Sequence, residues 1–233
     1  MNNRSHRVIT GILLIFTPIL FMTAFTLLQI NFEYPDILRQ PAIVVMEKFA
    51  AGGSGLIANW YLMVFSSILF IPISVMLYPY LAREDTPYMT VAAVLGVIAG
   101  VVQMLGFIRW PFLVPTLAST YLDPSTSEAT RAAIEVTFTA FNQYAGVGVG
   151  EHLGYLFTAL WSILIALAMP KSKYFSAWLG WVGGISAVGI LLGTLEPAGV
   201  PFVGLINAMA YIVWAVWIVI LGIRLLGNGR YDL

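Results

Sequence analysis

The stretch VITGILLIFTPILFMTAFTLLQI, Val8–Ile30, contains no charged side chain. An apolar run of roughly 20 residues is long enough to cross the hydrocarbon of a bilayer as one helix. Only helices and closed barrels satisfy their backbone there, and barrel strands would show short alternating segments instead of a continuous run. Runs of the same kind recur at Leu56–Tyr78, Met89–Val114, Val147–Met169, Phe175–Leu195 and Val203–Leu225. The expected fold is all-α: a polytopic membrane helical bundle of six transmembrane helices, forming a single membrane domain over residues 1–233.

The composition agrees. The chain is 60% hydrophobic and 9% charged, with mean hydropathy +0.89. A soluble domain carries about 25% charged residues, so the expected partner is the lipid bilayer. Net charge is zero and no basic block is present, which argues against a nucleic-acid partner. There is no cysteine, and the only histidines are His6 and His152. Thiol chemistry, Cys-based metal sites and a multi-histidine centre are thereby excluded, and neither cofactor nor metal is expected. The basic segment MNNRSHR before Val8 resembles the start of a signal peptide. The apolar run is too long for one, however, and no small-x-small site follows, so a retained anchor is expected.

Two polar segments interrupt the spans. In Asn31–Gly55, Pro41 suits a helix start and Gly52–Gly53 a stop. Ile43, Val44, Met46 and Phe49 would line one side of a short interfacial helix. In Pro115–Ala145, Ser125 and Glu128 have capping-box spacing, and Ile134, Phe138 and Phe141 repeat at helical spacing. A second short amphipathic helix follows from this, ended by the glycines 146, 148 and 150. With the N-terminus inside, the inner segments hold Arg4, Arg7, Arg83, Lys171, Lys173, Arg224 and Arg230, and the outer ones only Arg39, Lys48 and Arg131. That bias predicts a multi-pass protein of the bacterial inner membrane with both termini cytoplasmic and both amphipathic helices on the outer face. Gly-x-x-x-Gly spacings at 96/100, 150/154, 180/184 and 189/193 suit close helix packing, within the chain or in a homo-oligomer.

In this topology Arg109 near the end of span three and the pair Glu151–His152 near the start of span four fall at similar depth. A charge in the outer part of the bilayer favours a partner. Glu151, Tyr155, Thr158 and Ser162 form a polar stripe at helical spacing. Gln103 and Trp110 share a face of span three, and Asn59 and Glu196 lie at the ends of spans two and five. The candidate ligand-binding set is Arg109, Trp110, Glu151, His152, Tyr155, Gln103, Asn59 and Glu196. Against it stand simpler readings: a snorkelling Arg109 with a belt Trp110 closing a helix, and Glu151 gaining from a helix dipole. Gly146–Gly150 lacks the residues of a phosphate loop.

The segments YPDILRQP (34–41), GFIRWPFLVP (106–115), GEHLGYL (150–156) and FSAWLGWVGG (175–184) resemble those of a bacterial six-span membrane protein family catalogued as a domain of unknown function, number 4386. The resemblance implies a six-helix inner-membrane protein and carries no activity.

The functional expectation is an outer-leaflet polar pocket that binds or transports a small amphiphilic molecule or ion. An intramembrane enzyme using Glu151 or His152 as acid/base, with Arg109 holding an anionic group, is the alternative. The absence of a nucleophile arrangement and of a metal-ligand set weighs against it. A structural or regulatory subunit without a ligand is the third reading.

Overall fold

The structure is a computed structural model and describes residues 3–227; Arg230 and the rest of the polar tail lie outside the described residues. Among the described residues there is no strand. The helices are α1 (Asn3–Phe32), α2 (Ala42–Met76), α3 (Met89–Phe107), α4 (Arg109–Phe112), α5 (Val114–Leu122), α6 (Glu128–Phe141), α7 (Gly154–Ala168), α8 (Ala177–Leu192) and α9 (Val203–Gly227), with a π-helical segment, Asn142–Leu153, joining α6 to α7. Among the described residues six helical stretches are long and apolar enough to span a membrane: Asn3–Phe32, Ala42–Met76, Met89–Leu122, Glu128–Lys171, Ala177–Ala198 and Val203–Gly227.

Several spans are longer than the apolar runs suggest, because flanking helical turns continue them. Residues before Gly53 form a helix joined to span two through Gly53, at φ 52° and ψ −147°, a backbone conformation open to glycine. The buried face of that helix is Val45, Met46 and Phe49, whereas Ile43 and Val44 are exposed. The expected grouping of Ile43 and Val44 with Met46 and Phe49 is therefore corrected. The three buried positions share one face by i, i+1 and i+4 spacing.

Where a second amphipathic helix is expected, α6 is capped at Ser127, whose hydroxyl accepts from the Thr130 amide. The predicted Ser125–Glu128 box is not used: the Ser125 hydroxyl donates to the Asp123 carboxylate at 2.7 Å. Ile134 and Phe138 are buried, but Phe141 is exposed. The glycines at 146, 148 and 150 do not end this helix; they widen it into the π-helical segment. Glycine lacks the Cβ that would crowd the wider turn. In span three, Pro111 has no N–H to give the Phe107 carbonyl. The helix loosens at Ile108 and resumes through α4 and α5 to Leu122.

The chain divides into two compact units. The first comprises the residues through Ile19, Ser67–Val101, and those from His152 onward. Its core includes Leu14, Ile73, Leu77, Trp161, Trp217 and Leu221. Trp217 donates its indole N–H to the Leu179 carbonyl at 2.8 Å and lies against Gly183, so a side chain at 183 would displace it. α1 and α9 meet backbone to backbone, where a Cβ on Gly222 would lie 2.6 Å from the Gly11 carbonyl oxygen. In lipid, where burying apolar surface drives little association, such small-residue contacts supply helix packing.

The second unit comprises Leu20–Ser66 and Val102–Glu151. Its core is aromatic: Phe32, Tyr34, Phe49, Trp60, Trp110, Tyr121 and Phe138 are all buried.

Candidate functional site

The second unit is built around Trp110. Its ring stacks on Trp60 at 4.5 Å between centroids and 7° between planes. It lies face to face with Phe49 at 5.9 Å and edge-on to Phe32 at 5.3 Å. Trp110 is wholly buried, and its neighbour Arg109 is only 7% exposed. A snorkelling arginine and a belt tryptophan would both reach the membrane–water boundary. Because span three continues to Leu122 and both side chains turn into the unit, the helix-end reading is overturned.

The guanidinium of Arg109 is held from three sides. One terminal nitrogen donates to the Gly106 carbonyl of the preceding turn. The other donates to Asn142 Oδ1 at 3.0 Å, on the first residue of the π-helical segment. Its carbon lies 5.2 Å from the centre of the Trp110 ring, within cation–π range. The wall beside it is Gly146, where an added Cβ would overlap the guanidinium. Gly106 and Gly150 bring the two helices together, and a Cβ on Gly150 would stand 2.9 Å from the Gly106 Cα. The glycines thus serve the approach of a charged group to a helix wall, with no resemblance to a phosphate loop. Segments of π-helix are frequent at functional sites.

Glu151 lies in the last turn of the π-helical segment and is half-buried. Arg109, Glu151 and the Tyr34 hydroxyl lie within electrostatic reach of one another. Tyr34 follows α1, precedes a cis peptide bond to Pro35, and packs edge-on against Trp60 at 5.2 Å. Burial, followed by the negative charge of Glu151, pushes its hydroxyl well above the ordinary tyrosine range, with Arg109 opposing. The hydroxyl is therefore a protonated donor at any physiological pH.

Three buried N–H groups of this unit have no acceptor: Arg109 Nε, Trp60 Nε1 and Trp110 Nε1. A buried donor left unpaired costs about 1–3 kcal/mol, which makes the concentration of three in one aromatic core informative.

The remaining sequence-derived residues are dispersed. Gln103 is half-buried on α3 within the same unit. Asn59 is buried against α1. With its amide nitrogen toward the Ala24 carbonyl (3.3 Å) and its oxygen toward the Leu28 amide (3.1 Å), it ties α2 to α1. His152, Tyr155 and Glu196 belong to the first unit. There Tyr155 packs on Tyr211 at 5.7 Å, and Glu196 is exposed. Thr158 and Ser162 are buried in that unit, and the Ser162 hydroxyl accepts from Trp214 Nε1 at 2.7 Å. Tyr34 and Asn142 were not singled out from the residues alone, and Gly146 was read only as part of a helix break. Asn142 sits 33 positions from Arg109, in a stretch whose glycines pointed to a helix end, so no local signal marked it.

Among the described residues, no group of three or more His, Cys, Asp and Glu side chains is arranged to hold a metal ion. The fold and this buried polar centre define a polytopic α-helical membrane protein carrying charge inside its helical core. The chain belongs to the family described as a domain of unknown function, DUF4386, whose sequence profile matches residues 9–229. No curated protein and no solved structure matches it.

Proposed function

We propose that this protein is a membrane-embedded binding protein, in which Arg109 and its surroundings receive a small amphiphilic molecule or ion, for retention or for transport. The observation that carries the reading is the buried Arg109 itself. Its guanidinium is removed from water inside an aromatic core, is anchored through its two terminal nitrogens, and keeps its Nε without an acceptor. An ionisable side chain inside a membrane helix is expensive and is a functional candidate by default. Glu151, within electrostatic reach, is the second member of the proposed site, with Trp110 as its wall. We further propose a bacterial inner-membrane location with Arg109 and Glu151 in the outer part of the bilayer. The excess of Lys and Arg in the segments assigned inside supports this orientation.

The test is to purify the full chain in a mild uncharged detergent and identify co-purifying small molecules by mass spectrometry. A species held near stoichiometry by the wild type and lost from Arg109→Ala is expected. An identical complement of bound molecules in both proteins would sink the assignment.

A further inference from the structure

We infer that the Arg109 site selects an anionic oxygen group, a carboxylate or a phosphate, over a cationic or purely apolar ligand. The inference rests on the binding reading above and deepens it.

The chemistry of the second unit is one-sided. Arg109 Nε, Trp60 Nε1 and Trp110 Nε1 are buried donors without acceptors. The first two belong to groups that adjoin the same ring: the Arg109 guanidinium carbon lies 5.2 Å from the centre of Trp110, and Trp60 stacks on it at 4.5 Å. Tyr34, 7% exposed and edge-on to Trp60, adds a hydroxyl that stays protonated. What these three N–H groups lack is an acceptor. A carboxylate or phosphate supplies several lone pairs to one guanidinium edge, and the planar fork of arginine matches both groups. An ammonium or a quaternary amine brings no acceptor and is repelled by the guanidinium. An apolar ligand would leave the donors as they are.

Glu151 sharpens the inference because it makes opposite predictions for the two signs of charge. It lies within electrostatic reach of Arg109 and Tyr34, so it opposes an incoming anion and favours an incoming cation. Neutralising it with Glu151→Gln should strengthen the binding of an anion and weaken that of a cation.

A carboxylate or phosphate can arrive as a free anion or as the head of a lipid or fatty acid, and the probes separate these sources. The full-length protein in dodecyl maltoside is titrated with inorganic phosphate, decanoate, dihexanoyl phosphatidic acid and decyltrimethylammonium. Tryptophan fluorescence and thermal unfolding report binding.

The expected result is saturable binding of at least one anionic probe, weakened at least tenfold by Arg109→Gln and strengthened by Glu151→Gln. Phosphate alone would mark a free anion, decanoate a fatty carboxylate and the phosphatidic acid a lipid head. The Glu151 variant retains Arg109 and gives an independent reading should Arg109→Gln fold poorly. Binding of decyltrimethylammonium that Glu151→Gln abolishes, or anionic binding indifferent to Arg109→Gln in a folded protein, would overturn the inference. If a co-purifying species lost from Arg109→Ala proves to carry no anionic oxygen, the ligand class fails while the binding site stands. If neither a retained species nor any probe depends on Arg109, both fail together.

Discussion

Among the described residues each unit buries one arginine, and the two are treated in opposite ways. Arg7, 4% exposed in the first unit, donates to the carbonyls of Leu225 and Leu226 in the last turn of α9. Those carbonyls have no intrahelical partner, and a cation at a helix C-terminus also meets the negative end of the dipole. Arg109, 7% exposed in the second unit, lies in the middle of a span and has a nitrogen with no acceptor. The indoles show a related contrast. Trp214 and Trp217 of the first unit find acceptors, whereas Trp60 and Trp110 of the second do not. Trp161 of the first unit also lacks one, so the contrast among the indoles is one of degree. Arg7 completes a helix end; Arg109 has no such role, and the proposed binding site rests on that difference.

The largest expected difference comes from removing each charge while keeping its volume. Arg109→Met should reduce anionic-probe binding roughly a hundredfold, about 2.8 kcal/mol at 1.4 kcal/mol per decade. It should leave resistance to SDS unfolding unchanged or slightly improved, because a buried charge replaced by an apolar side chain of similar size is often neutral or stabilising. A large loss of stability in this variant would make Arg109 architecture like Arg7.

Arg7→Met should do the reverse. Loss of charge-assisted bonds to the α9 carbonyls is expected to cost about 1.5–3 kcal/mol in an SDS unfolding titration, with probe affinity retained. If both variants lose binding equally, the contrast between the two arginines collapses.

A smaller effect is expected from Gly146→Ala. The new methyl would overlap the guanidinium, which is the far end of a flexible side chain and can shift. Probe affinity should fall severalfold while unfolding changes less than in Arg7→Met. An affinity equal to wild type would mean that the position of Arg109 against the π-helical wall is unimportant.

The smallest effect lies at the turn before α6. The Ser125 hydroxyl and amide both donate to the Asp123 carboxylate and hold it below its ordinary value of 3.8. A carboxylate lowered on folding stabilises the protein above its unfolded value, and that contribution disappears as pH falls through the folded one. Thermal unfolding between pH 6 and 3 should therefore show a slight acid loss that Ser125→Ala reduces. Identical acid limbs would remove the Asp123 turn from the account.

The six spans were legible because the hydrocarbon of a bilayer imposes a length and a polarity that any chain must display residue by residue. Arg109 and Glu151 were legible for a related reason, since charges within such runs stand out against a 9% charged background. The site's other anchors were hidden. Gly146 and Gly150 read locally as a helix break, yet in the fold they let a π-helical turn pass close to Arg109 and Gly106. Tyr34 read as part of a polar connection, although its ring is buried against Trp60. Asn59 was grouped with the site by its position along span two but bonds to the backbone of α1.

What the sequence determined alone is the class of object: an all-helical chain with six membrane-length apolar segments and a few charges inside them. Those are properties of composition and of periodicity along single helices. The tertiary structure decided that Arg109 turns inward to Asn142 and Trp110 rather than outward to the membrane boundary. It also decided that Trp60, Trp110 and Tyr34 form one core around it. Which face of a helix meets which neighbour depends on contacts between residues far apart in the chain. A single sequence carries no local signal for those contacts.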